Sequence, residues 1–330
     1  MSELIFLTGL PRSGSTLLCN LLAMHPDITS TPSSPLNQII QNMKAHWSDD
    51  PFLLAQLDND YENTYKRLKD STKAFMDNYS NNDTKITVDK NRGWLANAEF
   101  VRHLCPQFKM IVCVRDLRTI FASIEKQHKK TMLLDFPDKM SPNDANARAD
   151  ALFANNGVIG GCIKSIENIQ DIPNLMPHIF IFRFEDLMVR PQETMDKLFS
   201  WLRLESYKID FNNIKQITFE SDSYYRMKYP HTVKTKLEAP NTLETNPVSP
   251  RILQTIIAKF DWFYKQYYPE YFASQEQDSV QPLIQNISNQ KIEAQVSAEI
   301  EKEIGEEIEK NIEKELKEKE TIKNKPNKRK

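Results

Sequence analysis

Residues 8–16 read TGLPRSGST, with Gly9 and Gly14 framing Arg12 and with hydroxyls at Ser13, Ser15 and Thr16. An apolar run at residues 4–7 precedes this stretch and a helical pattern at 16–22 follows it. A glycine-framed loop between a strand and a helix turns several backbone N–H groups, and the positive helix end, toward one point. Such a loop holds a phosphate-like oxyanion. The chain has only 7 glycines in 330 residues, against roughly 23 at average usage, so two in its first 14 positions mark a backbone requirement. Gly9, Gly14 and Thr16 fit the Walker spacing G-x-x-x-x-G-K-[ST], but Ser15 occupies the lysine position. A nucleoside triphosphatase needs that lysine on its β- and γ-phosphates, which argues against ATP or GTP hydrolysis. Arg12 offers instead a planar fork suited to oxyanions.

A second constellation is VCVRDLR at residues 112–118, followed by TIFAS. An apolar strand here delivers Arg115 to the C-terminal edge of a sheet, where open α/β folds bind ligands. Thr119 and Ser123 are four apart on the next helix and share a face. Arg115 and Ser123 can hold a second phosphate group. The alternative is a strand-end arginine paired with Asp116.

Strand and helix patterns must place these groups. Apolar runs at residues 4–7, 85–88, 110–114 and 179–182 read as strands. Residues 52–79 read as a long helix or helix pair, and helices are also predicted at 94–104, 119–130, 143–169, 191–202 and 249–268. Continuous apolar strands separated by helices imply a parallel sheet covered on both faces. The expected organisation is one α/β domain over 1–272, a flexible linker over 273–295, and a charged amphipathic helix over 296–330 with a basic disordered end. Ile300, Ile304, Ile308, Ile312 and Leu316 recur every four residues in that tail, one helical stripe open to coiled-coil self-association or partner docking.

Composition excludes several classes. No run approaches the roughly 18 apolar residues of a membrane helix. The first apolar run is too short for a signal peptide and follows Glu3, so a cytoplasmic protein without a membrane anchor is expected. Cys19, Cys105, Cys113 and Cys162 lack metal-ligand spacing and read as buried, reduced thiols; no metal site is predicted. From residue 276 onward there are 13 acidic and 11 basic residues, which leaves the rest of the chain with 32 of each sign. That balance gives the body no general basic field for nucleic acid.

With these motifs in hand, the chain resembles the P-loop sulfotransferases. The resemblance rests on residues 9–18 (GLPRSGSTLL), 114–123 (VRDLRTIFAS) and 183–191 (RFEDLMVRP). It covers roughly residues 3–265 and is closest to the branch of protein-tyrosine and bacterial enzymes. It implies a P-loop NTPase-like three-layer sandwich, a central parallel sheet flanked by helices, with the charged helical tail outside it. It also implies 3′-phosphoadenosine 5′-phosphosulfate (PAPS) as co-substrate, used without a metal. By position, Arg12, Ser13, Gly14, Ser15 and Thr16 would hold the 5′-phosphosulfate, and Arg115 and Ser123 the 3′-phosphate. Lys90, emerging after the strand at 86–88, would join Arg12 in stabilising the leaving oxygen.

The general base departs from the family's patterns. Asn91 and Arg92 follow Lys90 where cytosolic branches carry a histidine, and residues 25–34 lack the glutamate of protein-tyrosine branches. Asp89 is the first candidate and His231 the second. The expected acceptor is a small molecule, glycan or peptide bearing a hydroxyl or amine. Its pocket is expected between residues 29–40, the helices after Phe52 and the loop near 224–237, with Trp47, Tyr224, Tyr225 and Tyr229 available. A P-loop kinase-like phosphotransferase and a catalytically silent nucleotide-binding protein of the same fold remain as alternatives.

Overall fold

The structure is a computed structural model that describes residues 2–133, 144–220, 231–238 and 247–272. Tyr224, Tyr225, Tyr229, the linker and the charged tail lie outside the described residues. The chain divides into two compact units, residues 1–260 and 261–330.

The first unit carries five parallel strands in the order β2-β3-β1-β4-β5. They are β1 (Glu3–Gly9), β2 (Ile28–Thr31), β3 (Ile86–Lys90), β4 (Lys109–Val114) and β5 (Ile179–Arg183). Helix α1 (Ser15–Ala23) joins β1 to β2; α2 (Leu36–Asp49), α3 (Pro51–Asn59) and α4 (Tyr61–Tyr79) lead to β3. Helices α5 (Gly93–Ala96) and α6 (Ala98–Leu104) precede β4. Then α7 (Leu117–Lys130), α8 (Ala145–Phe153) and α9 (Gly160–Gln170) lead to β5, followed by α10 (Phe184–Val189), α11 (Pro191–Leu202) and α12 (Pro250–Lys259). This is the parallel, helix-flanked sheet expected from the alternation of patterns.

Local differences have local causes. Strand β2 has the sequence ITST, with one apolar residue, and forms only by pairing with β3. Helix α2 does carry a helical stripe, Leu36, Ile40, Met43 and Trp47, which the sequence reading passed over. The pattern at 52–79 breaks at Asp60, whose carboxylate caps α4 by accepting from Asn63 N–H at 3.3 Å. Asp50 caps α3 through Leu53 N–H at 2.7 Å, with Pro51 in the first turn. The patterns at 94–104, 143–169 and 249–268 are likewise each split into two helices.

Both faces of the sheet are covered, which accounts for the unbroken apolar strands. On one face Ile5, Leu7, Val88, Ile111 and Phe182 pack with α1, α10 and α11 in a single core cluster. On the other, Phe6 meets the Trp94 ring edge-on at 4.7 Å. Phe121, Phe153 and Phe260 extend that layer through α7, α8 and the end of α12. Fully burying such side chains stabilises by about 1.5–3 kcal/mol each. All four cysteines are free; Cys19 and Cys113 are buried, whereas Cys105 and Cys162 are only partly buried, short of the full burial expected. Among the described residues no helix is long and apolar enough to cross a membrane.

Of the second unit, the described part is α13 (Asp261–Tyr267) and the turn after it, where Phe263 packs edge-on against Tyr267 at 5.0 Å.

Candidate functional site

Strand β1 ends at Gly9 with φ 138°, where an added Cβ would lie 2.2 Å from the Cys113 carbonyl oxygen. Only glycine lets the chain pass that close to β4. Leu10 N–H then donates to the same carbonyl at 2.9 Å. The loop that follows is tightly turned: Arg12 has φ 59° and Gly14 φ 86°. A non-glycine residue in the left-handed region costs about 1–2 kcal/mol, and such strain concentrates at ligand sites. Ser13 Oγ–H donates inward to the Leu10 carbonyl at 2.6 Å and closes the turn. Gly14 stands at the N-cap of α1 and brings no side-chain oxygen to its first turn, so no side chain caps the helix end where Ser15 and Thr16 lie.

Arg115, at the end of β4, donates Nη1–H to the Arg12 carbonyl at 3.0 Å. Arg12 Nε–H donates to Ser123 Oγ of α7 at 3.4 Å. The two motifs, over a hundred residues apart, therefore form one cluster at the C-terminal edge of the sheet. Asp116 accepts from Arg118 Nε at 3.0 Å and caps α7 through Arg118 N–H at 2.8 Å. Asp116 thus holds both the backbone and the side chain of Arg118. Thr119 turns its hydroxyl back to the Asp116 carbonyl at 2.8 Å.

The third motif has a place here too. The Phe184 ring, first residue of α10, lies 4.3 Å from the Arg115 guanidinium carbon. A Cβ on Gly14 would come 2.5 Å from the same ring. Phe184 thus sets the height of the loop and stacks on the arginine, an arrangement of the cation–π type.

Lys90 ends β3 with 9% of its surface exposed. Its ammonium lies 3.3 Å from Thr16 Oγ1 and 2.8 Å from Glu220 Oε2. Alternation along the strand sends Asp89 the other way. There the Trp94 Nε1–H donates to its Oδ1 at 2.6 Å and 2% of the residue is exposed. Burial pushes the Asp89 carboxyl above its ordinary range, against hydrogen bonds from Ser34 and Trp94 that favour the charged form. Asp89 is therefore not gathered with Lys90 and the loop.

His231 is: its Nε2 lies 3.6 Å from Glu220 Oε1. Glu220 itself was not singled out in the sequence. It sits in a segment without periodic pattern, held by Asn20 of α1, whose Oδ1 accepts from Ile217 N–H at 2.6 Å and Thr218 N–H at 2.9 Å. Asn20 also donates Nδ2–H to the Thr16 carbonyl at 2.9 Å. One side chain thus ties the phosphate-loop helix to the segment carrying the carboxylate. Ser33 donates its hydroxyl to Glu220 Oε1. Of the remaining histidines considered, His25 closes the turn after α1 by accepting from Asp27 N–H at 3.1 Å, and His103 on α6 bonds Tyr65 Oη at 2.8 Å.

Chemically, the cluster offers turned backbone amides, two guanidinium groups, hydroxyls and one ammonium around a single edge of the sheet. That set suits a ligand with two anionic groups.

Comparison with known proteins gives the family. Residues 4–208, well over half of the chain, match the family model described as "Sulfotransferase family". Nodulation protein NoeE of Sinorhizobium fredii is 23% identical over 226 residues, which cover 65% of this chain and 53% of that protein; the chain spans about half the length of this curated relative. The sulfotransferase domain from the curacin biosynthetic pathway is 16% identical, with TM-score 0.46, over 79% of this chain and 98% of that one. A mouse sulfotransferase, SULT7A1, solved with PAP, is 12% identical, with TM-score 0.48, over 84% and 89% of the two chains. The match of the family model across the sheet, the loop and all three motifs establishes that this chain belongs to the sulfotransferase family.

Proposed function

We propose that this sulfotransferase takes PAPS as donor and passes its sulfuryl group to a hydroxyl or amine acceptor. The observation that carries the reading is the joining of Arg12, Arg115, Ser123, Thr16 and Lys90 at one sheet edge. In this reading the loop of residues 12–16 holds the 5′-phosphosulfate, and Arg115 and Ser123 hold the 3′-phosphate. Lys90 and Arg12 meet the charge that develops on the bridging oxygen as it leaves. The strained, pre-turned loop supports this role, because donors fixed before binding cost no reorganisation during transfer. Acceptors in this reading are small molecules, glycans or peptides.

Ser15 in the lysine position of the Walker pattern speaks against the kinase alternative. Calorimetry with adenosine 3′,5′-bisphosphate and, separately, with ATP tests the choice. Micromolar binding of the bisphosphate with weak or no binding of ATP is expected, and preference for ATP would overturn the reading. Labelled PAPS presented to a broad acceptor panel then separates an active enzyme from a silent binder.

A further inference from the structure

Glu220 is a buried carboxylate, its side chain 8% exposed, at the mouth of the loop. A buried charge is costly unless paired and hydrogen-bonded, and here the partners are distributed unevenly over its two oxygens. Oε2 faces the Lys90 ammonium at 2.8 Å, and that ammonium in turn lies 3.3 Å from Thr16 Oγ1 of the loop. Oε1 faces the other way, toward the Ser33 hydroxyl and, at 3.6 Å, the His231 ring. One oxygen therefore addresses the donor machinery. The other already accepts a hydroxyl proton from the segment between β2 and α2. Asn20 holds this placement by clamping the backbone at Ile217 and Thr218.

From this geometry, and resting on the sulfotransferase reading above, we infer that Glu220 is the base that receives the acceptor's proton, with Asn20 as its positioning residue. As the acceptor oxygen forms its bond to sulfur, its O–H bond breaks and the proton passes to Glu220 Oε1. The bond from sulfur to the bridging phosphate oxygen breaks, and the electron pair stays on that oxygen, beside Lys90. The proton thus ends on Glu220, and the leaving-group charge on the phosphate oxygen beside Lys90, whose ammonium is held 2.8 Å from Glu220 Oε2. Neither Asp89, sealed against Trp94, nor a residue directly after Lys90 is needed for the step.

Among the described residues, the titratable groups facing Glu220 are Lys90 from β3, His231 from the returning segment and, deeper, the Cys19 thiol of α1. Bringing adenosine 3′,5′-bisphosphate beside Lys90 adds negative charge near Glu220 and draws on its counter-ion. Its carboxylate should then take up a proton on binding. Calorimetry of the full chain with this bisphosphate, between pH 5 and 7 in buffers of differing ionisation enthalpy, measures that uptake without any acceptor. Wild-type protein should take up a fraction of a proton that vanishes in Glu220→Gln and persists in His231→Asn. Should Glu220→Gln fail to fold with Lys90 left unpaired, the double variant Lys90→Met/Glu220→Gln removes both charges and should show no uptake. Uptake that survives loss of Glu220, or disappears with His231 alone, overturns the assignment while leaving the sulfotransferase reading intact. Failure of the wild-type protein to bind the bisphosphate overturns that reading, and this inference with it.

Discussion

Arg115 donates a hydrogen bond at 3.0 Å to the backbone carbonyl of Arg12. An arginine at the end of β4 thereby holds the loop that leaves β1, and the two elements proposed to bind the phosphates are joined. Replacing Arg115 by lysine removes the planar fork and the stack on Phe184. Charge-assisted hydrogen bonds contribute about 1.5–3 kcal/mol each. Binding of adenosine 3′,5′-bisphosphate to Arg115→Lys should therefore weaken by about 10–100-fold in calorimetry, with the melting temperature lowered by a few degrees as the tie to Arg12 is lost. Unaltered affinity would remove Arg115 from the site.

Arg12→Ala should separate chemistry from folding. Its side chain is exposed and donates to Ser123 at 3.4 Å, so its removal leaves the hydrophobic core untouched. Loss of one donor to developing oxyanion charge costs about 10²–10³ in turnover. Wild-type transfer rates in this variant, measured with labelled PAPS, would take Arg12 out of the mechanism.

The two loop glycines should differ in cost. At Gly9 a methyl would meet backbone atoms of Cys113, the nearest at 2.2 Å, which cannot move without opening the β1–β4 pairing. At Gly14 it would meet the Phe184 ring at 2.5 Å, a side chain able to rotate, in addition to about 1–2 kcal/mol of left-handed strain. Thermal unfolding should rank Gly9→Ala well below Gly14→Ala in stability. The reverse order would contradict the packing described.

Asp89 should make stability depend on pH in an unusual direction. Burial raises its carboxyl above the ordinary range, so the folded state binds the proton more tightly than the unfolded chain. Its penalty is absent below the unfolded pKa of about 3.9 and grows as pH rises through the folded value. Asn at this position still accepts from the Trp94 indole. Asp89→Asn should therefore gain stability relative to wild type between pH 4 and 7, read by denaturant unfolding. A constant difference across that range would count against the buried carboxyl.

Away from the site, Arg148 of α8 grips Glu125 of α7 with two hydrogen bonds at 2.7 and 2.6 Å, and the glutamate side chain is 1% exposed. Arg148→Ala strands that charge and should cost about 3–5 kcal/mol. Adding Glu125→Leu should return most of the loss; no recovery would mean that the pair is not the reason for the cost.

The sequence by itself determined the parallel α/β layout and the groups at the strand ends. Both are local: apolar runs buried on two faces have no other use, and a strand–loop–helix unit brings Gly9, Arg12 and Gly14 together within one turn of chain. Arg115 and Lys90 were legible because a strand's end places its residues at the sheet edge, and Ser123 because it lies one turn after Thr119 on the following helix. Only the tertiary structure decided how these groups meet. Asp89 and Lys90 are neighbours in sequence, yet strand alternation sends one under Trp94 and the other to Thr16 and Glu220. Glu220 left no trace in the pattern, because its backbone is held by an asparagine side chain on α1, 198 positions from Thr218, and not by periodic burial. Short-range periodicity and turn chemistry encode elements; a carboxylate placed by two long-range hydrogen bonds to one side chain becomes visible only once the elements have packed.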